Sequence, residues 1–297
     1  MIEVSNHESR PNHYSEDEIE EVEQCPWCGS SRYSVWCRDE PPFLTVECQD
    51  CKVIYVKKRL NASGREKYYA HYHSEIHQAE DLARRREAMY QLELDFIEEF
   101  CKTGRVLDVG CGGGKFLQHF NPSRWERWGT EIGDEAVREA KALIGGNIFE
   151  GDLLDIDLPS RAFDLIVFRG VIEHVPEPKK TLLKALELLK PGGFVFIGST
   201  PNRDSVCAEV YREKWNQHAP EAHIVHFSPR HFKIFFSEHR THLVAERIFY
   251  LETPYADPVN DAKKVAESIE GYYRRIKPQE KSPAFFDNMM TLLFRRL

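Results

Sequence analysis

The hydrophobic pattern changes period along the chain. YSVWC (33–37), FLTVEC (43–48) and VIYV (53–56) are short apolar or alternating runs broken by turn formers, which predicts three short strands. KKRLNASGREKYYAHYH (57–73) is polar with clustered tyrosines and reads as a connector. From about Ile76 to Phe100 the spacing is helical, with Met89, Leu92, Phe96 and Phe100 on one face, and Lys102-Thr103-Gly104 ends the run. Strands and helices then alternate. RVLDV, RWGTEI, NIFEGD, FDLIVF and GFVFIGS read as strands, and FLQHF, DEAVREAKAL and LLKALELLK as helices. That alternation predicts an α/β fold, a doubly wound parallel sheet with helices on both faces. In such sheets ligands bind at the carboxyl ends of strands.

The expected organisation is therefore a lead-in over residues 1–22, a small module over 23–58, a helical connector over 59–101 and a catalytic-type domain over 102–297. The lead-in is polar and acidic, so it is expected to be disordered. It lacks the basic start and apolar centre of a signal peptide, and no apolar run reaches membrane-spanning length, so the expected location is cytoplasmic. A formal net charge of -8 argues against a nucleic-acid partner, which calls for a basic face.

Four of the eight cysteines fall in CPWC (Cys25, Cys28) and CQDC (Cys48, Cys51), nineteen residues apart. Paired CxxC turns each offer two thiolates, and four thiolates suit tetrahedral zinc. The alternative is two disulfides, which need an oxidising compartment. Four protein ligands leave no open position, so the expected zinc is structural, and the segment reads as a zinc ribbon. Cys37 lacks a partner at knuckle spacing.

VLDVGCGGGKF (106–116) ends a strand in an aspartate and then places four glycines within five residues. A P-loop fails because Val109 stands at the first glycine position and Phe116 follows Gly114-Lys115. A dinucleotide fingerprint fits Gly110 and Gly112 but finds Lys115 at the third place. Asp108 would repel phosphate and attract an ammonium. Glu131, ending the next strand, can accept from both ribose hydroxyls, and Asp152 from an adenine amino group. Ribose, adenine and an ammonium without phosphate describe S-adenosylmethionine (SAM). The cofactor set is then Asp108, Gly110, Gly112, Gly114, Glu131 with its neighbour Ile132, and Asp152 with Leu153. For Asp152 a turn-capping role is the alternative.

VLDVGCGGG, GTEI, EGDL, FDLIVFRGVIEHV and LKPGGFVFIGSTPN, in this order, resemble class I SAM-dependent methyltransferases. With CPWCGS, VECQDCKVIYVKKR and HIVHFSP, the chain resembles the zinc-ribbon members among sugar, polysaccharide and natural-product tailoring enzymes. The resemblance implies a Rossmann-like seven-stranded sheet with an antiparallel last strand, for which MMTLLFRR (289–296) fits. It also implies that Arg169 lines the cofactor, with an ordinary surface arginine as the alternative. Tyr69, with Tyr68 and Tyr72, either closes over the bound molecules or packs in the core. Residues 256–286 read as an insertion, over the active site or as a contact surface.

Methyl transfer to a hydroxyl benefits from a general base, and histidine is the usual one. The candidates are His174, His218, His223 and His226. Glu173-His174 resembles the glutamate–histidine pair of ubiquinone-type O-methyltransferases. Some of those use a divalent metal with a further glutamate three residues earlier, where this chain has Gly170. The expected acceptor is a small molecule, such as a sugar, polysaccharide precursor or natural product. An RNA or protein methyltransferase gripping its substrate with the ribbon is the alternative, and a binding protein without chemistry a third.

Overall fold

The structure, a computed structural model, describes residues 14–76 and 80–297. Two sheets organise it. The first is built by β1 (Ile19–Glu21), β2 (Tyr33–Val35), β3 (Leu44–Cys48) and β4 (Ile54–Leu60), in the order β1-β4-β3-β2. Residues 19–21, assigned by composition to a disordered lead-in, pair antiparallel with Lys58–Leu60. The reason is charge. Lys57 and Arg59 are buried on β4, and their partners are Glu21 and Glu20, with Arg59 Nε 2.7 Å from Glu20. The acidic lead-in thus neutralises the basic end of the ribbon strand. Residues 1–13 of the lead-in lie outside the described residues.

Two helices follow, α1 (Ala62–Ile76) and α2 (Glu80–Glu98). The polar stretch read as a connector is thus largely helical. On α2, Met89 and Phe96 are buried as the spacing predicts and Leu92 is half-buried, but Phe100 lies past the helix and is 40% exposed. Glu93 is buried on that same face, an acid the pattern gave no reason to expect there.

The second sheet is built by β5 (Gly104–Val109), β6 (Trp125–Glu131), β7 (Ile148–Glu150), β8 (Phe163–Arg169), β9 (Leu189–Pro201) and two strands near the C-terminus. Interleaved with its strands are α3 (Lys115–His119), α4 (Asp134–Ile144), α5 (Pro178–Leu188) and α6 (Val206–Tyr211). Then come β10 (Val225–His226), α7 (Pro229–Glu238), β11 (Thr241–Arg247), α8 (Pro258–Tyr273) and β12 (Met289–Arg296). The seven strands run β11-β12-β9-β8-β5-β6-β7, and only β12 is antiparallel to its neighbours. This is the predicted doubly wound, Rossmann-like sheet. Strands β5, β8 and β9 read as continuous apolar runs because helices cover both faces. Leu107, Ile166 and Val195 are fully buried toward one layer, and Val106, Leu165 and Phe196 toward the other.

The ribbon is not an autonomous bead. Strand β10 pairs antiparallel with β4, Val225 opposite Tyr55 and His226 opposite Ile54. Trp27 of the first knuckle packs on Phe227, Phe232 and Phe235 around α7. Ser228 caps α7 with Pro229 in the first turn, and the His231 side chain completes the cap. The Ser228 amide donates to His231 Nδ1, so the ring's Nε2–H donates to the Cys51 carbonyl at 2.9 Å. One histidine thereby joins a helix start to a cysteine knuckle. Within 256–286, α8 packs on α6 through Val265 and a bond from Tyr211 to the Lys264 carbonyl.

Candidate functional site

Two side chains of the predicted cofactor set, Asp108 and Glu131, lie where β5 and β6 end. Asp108 is buried and, among the described residues, its carboxylate accepts no hydrogen bond. Burial pushes its pKa up to about 8; Arg169 opposes the rise, while Glu131 and Glu93 add to it. A carboxyl in that setting lacks a cationic partner of its own. Glu131 differs, because its oxygens are positioned by amides. Ile132 and Gly133 donate to Oε1 at 2.8 and 3.0 Å, and Gly112 donates to Oε2 at 2.9 Å. A carboxylate offers about four lone-pair sites, so roughly one remains, at Oε2. Accepting both ribose hydroxyls there requires an amide to yield its bond.

The glycines divide by role. All three of Gly110, Gly112 and Gly114 have positive φ. A Cβ on Gly110 would meet Val171 at 2.8 Å, and one on Gly114 would meet Ile144 at 2.9 Å, so these two serve packing. Gly112 faces open space, with nothing within 4 Å of its Cβ position. Beside it Ile132 is 56% exposed, an apolar surface suited to a planar base. Asp152 is half-buried and its Oδ1 accepts from the Leu154 amide at 2.9 Å, the turn-capping alternative, which leaves its other oxygen for a ligand. Leu153 is buried. This donor set fits adenosine carrying an ammonium: an unpaired acid, an open glycine, an oriented acid and an exposed aliphatic side chain.

Arg169 is neither a surface residue nor a free one. Glu93 of α2 pairs with it, and Ser199 donates to the other Glu93 oxygen at 2.7 Å. Burial works against the guanidinium charge, but Glu93 outweighs it and holds the pKa above its usual value. The Tyr90 ring lies 4.5 Å from the guanidinium carbon. Glu93 is the component that sequence reading missed. An acid inside a helical face was its one signal.

The four histidines separate into two pairs. His174 follows β8 in a short 3-10 turn, Ile172–His174, on the loop that touches Gly110 through Val171. Its Nδ1 lies 3.0 Å from the Ala222 carbonyl, and a carbonyl can only accept, so Nδ1 carries the proton and Nε2 is a lone pair. Tyr69 Oη is 3.1 Å from that same Nδ1, which places Tyr69 on the histidine. Tyr68 is buried, and the Tyr72 side chain lies outside the described residues. His223 Nδ1 donates to the Gln217 carbonyl at 2.6 Å. The two rings lie 4.8 Å apart. Burial, with His223 adding, lowers the His174 pKa to about 3, and burial pushes Glu173 up to about 8. Glu173, His174 and His223 offer ligand atoms within 4.8 Å of one another, an arrangement that suits an acceptor hydroxyl or a divalent cation. The third member is supplied by His223, where sequence comparison looked to position 170. His218 and His226 sit instead against the ribbon, with His218 Nε2 2.6 Å from Asp39.

Cys25, Cys28, Cys48 and Cys51 form one cluster. Cys25–Cys51 and Cys28–Cys48 sulfurs are 3.6 and 3.5 Å apart. Those spacings exceed a disulfide bond and approach the ~3.8 Å edge of a tetrahedral zinc–thiolate site.

A family model described as a methyltransferase domain matches residues 77–239, more than half of the chain. A ubiquinone biosynthesis O-methyltransferase from Nitrosospira multiformis is 36% identical over 122 residues, covering 38% of this chain and 50% of that protein. An uncharacterized protein from Methanocaldococcus jannaschii is 32% identical over 129 residues, 43% of this chain and 60% of that one. The chain spans about half the length of the curated O-methyltransferases it matches. A solved Thermotoga maritima structure, described as a SAM-dependent methyltransferase and possible histamine N-methyltransferase, superposes with a TM-score of 0.52 at 16% identity. It covers 78% of this chain and 98% of its own, a likeness of fold.

Proposed function

The chain belongs to the methyltransferase-domain family and is a class I SAM-dependent methyltransferase by family and fold, and from that premise we propose that it methylates a hydroxyl of a small-molecule acceptor. The observation that carries the cofactor assignment is the pair Asp108 and Glu131 at the ends of neighbouring strands, flanking the open Gly112. Asp108 would receive the ammonium, Glu131 a ribose hydroxyl, and Ile132 one face of the adenine. When bound, SAM supplies an electrophilic methyl on a sulfonium. The protein's task is alignment, exclusion of water and removal of the acceptor proton.

His174 is the base in this reading. Its proton is fixed on Nδ1 by the Ala222 carbonyl, which leaves Nε2 to accept the hydroxyl proton. With a pKa near 3 it stays unprotonated throughout the physiological range, always able to accept but weakly basic. The His223 ring lies beside it, 4.8 Å away. The Nitrosospira multiformis protein and several other relatives are named as O-methyltransferases, which supports oxygen as the acceptor atom.

A nucleic-acid acceptor has little support in the ribbon. The Lys57-Lys58-Arg59 run looks basic in sequence, yet Lys57 and Arg59 are buried against Glu21 and Glu20, and Arg32 pairs with Asp50. Phosphate binding needs unpaired cations. We assign the four cysteines a structural zinc. A four-thiol site stays reduced in the cytoplasm, which is where we place the protein. Among the described residues no helix is long and apolar enough to cross a membrane.

The test is incubation of purified protein with SAM and panels of sugars, phenols and short RNAs, reading S-adenosylhomocysteine release. Turnover with a hydroxyl-bearing small molecule supports the reading. Turnover confined to RNA or protein would overturn it.

A further inference from the structure

Cys37 has no partner in the sequence, but it has two in space. Its sulfur lies 3.5 Å from His218 Nε2 and 3.4 Å from Asp39 Oδ1, and His218 Nε2 is 2.6 Å from that same oxygen. Cys37 and Asp39 follow β2 in the ribbon, whereas His218 lies 181 residues beyond Cys37, in the loop that carries His223. All three side chains are withdrawn from water; those of His218 and Asp39 are 3% and 2% exposed. Trp36 and Trp215 wall the cluster, with Trp36 5.3 Å from the His218 ring.

Hydrogen bonding alone leaves this cluster poorly satisfied. Both the thiol and the imidazole address Asp39 Oδ1, while Oδ2 of the same carboxylate is buried without a well-formed hydrogen bond; the Thr45 hydroxyl acts on this carboxylate but is left equally unsatisfied. A buried acceptor that lacks a good donor is costly to the fold. The spacing matches a metal better. Zinc bond lengths imply tetrahedral edges of about 3.5 Å between sulfur and nitrogen or oxygen, close to the two sulfur distances here. The nitrogen–oxygen separation needs to open from 2.6 Å to about 3.4 Å, or Oδ2 can take the ligand position. Charge also balances, since a thiolate and a carboxylate together cancel a divalent cation and imidazole stays neutral. His226 completes the pattern, with its Nε2 3.5 Å from His218 Nδ1, where the outward ring nitrogen of a metal-bound histidine is normally held.

We propose that Cys37, Asp39 and His218 bind a second zinc ion, separate from the four-cysteine site, with its remaining position open to water. The ion would staple the ribbon to the loop that presents His223, so that the two halves hold the acceptor side of the site together. Binding is balanced by release of the Cys37 thiol proton to solvent. The ligand set of one thiolate, one imidazole and one carboxylate suits zinc better than magnesium or calcium, which take oxygen ligands.

The test measures zinc content and zinc-edge X-ray absorption on the full chain, for wild type, His218→Ala and the isosteric Asp39→Asn. The expected result is that each variant holds one zinc fewer than wild type while keeping the all-sulfur zinc. The wild-type spectrum should then contain nitrogen or oxygen ligands, at about 2.5 sulfurs per zinc, that disappear in Asp39→Asn. Equal zinc content in wild type and Asp39→Asn would overturn the assignment. So would a wild-type spectrum showing sulfur alone, a result that does not depend on any variant folding.

Discussion

Glu93 and Arg169 form a buried ion pair that ties α2 to the carboxyl end of β8, next to Asp108. The Glu93 side chain is 1% exposed, so its charge has no recourse to water if the pair is broken. Glu93→Gln leaves the half-buried Arg169 guanidinium without its anion, beside a neutral amide. It should destabilise the protein by about 3–5 kcal/mol, the range for removing one partner of a buried pair. Urea unfolding measures this directly. A loss below about 1 kcal/mol would mean that Arg169 finds water or Asp108 as a substitute.

Glu131→Ala should weaken SAM binding by about 1.5–3 kcal/mol, the scale of a hydrogen bond to a charged group. The lower end is expected, because three amides already occupy most of the carboxylate. The same change also frees those amides, so unfolding should be followed alongside calorimetry. Affinity equal to wild type would remove Glu131 from the cofactor set.

The pH dependence follows from Asp108. Folded, cofactor-free protein keeps this carboxyl protonated up to about pH 8, whereas an unfolded chain ionises it near pH 3.9. Between those values the folded state binds more protons, so this group's contribution to stability falls as pH rises. Cofactor binding runs the other way. Its ammonium needs the carboxylate, so affinity should rise as pH increases toward 8, by up to about tenfold per unit, and then level off. Glu173, also near 8, titrates in the same window. Asp108→Asn separates the two, because a slope that persists in that variant belongs to Glu173.

His174→Ala should lower kcat by about 10²–10⁴ without changing cofactor affinity. His223→Ala should cost less if it only supports the acceptor. Normal turnover in both variants would place the base elsewhere, or point to an acceptor that needs none.

Zinc in the four-cysteine cluster predicts that Cys48→Ser loses a metal ion and the ribbon's ordered contacts with α7, seen as faster proteolysis within residues 23–58. A variant with wild-type zinc content and protease resistance would show that the cluster holds no metal.

The pattern of apolar residues and glycines was enough to read the sheet, because buried parallel strands and positive-φ turns leave local signatures. Asp108 and Glu131 were legible for a related reason: acids ending buried strands are costly without a partner. What stayed hidden depended on distance along the chain. Nothing near Arg169 announces Glu93, 76 residues earlier. Cys37 looks alone until His218 arrives from 181 residues further along the chain, and the Lys57–Arg59 run looks like a basic patch until Glu20 and Glu21 fold onto it. Spacing likewise could not sort four histidines into two pairs, since tautomers are set by carbonyls that only the fold brings near.

The most direct test of the cofactor site compares wild type with Asp108→Asn in two measurements, calorimetric titration with S-adenosylhomocysteine and thermal unfolding without ligand. An unpaired buried carboxyl is a liability to the empty fold and an asset to the bound one. The account predicts that wild type binds one equivalent. It also predicts that Asp108→Asn weakens binding by about 1.5–3 kcal/mol while leaving the Tm unchanged or higher. Equal affinity in the two proteins, or no binding by wild type, would contradict it.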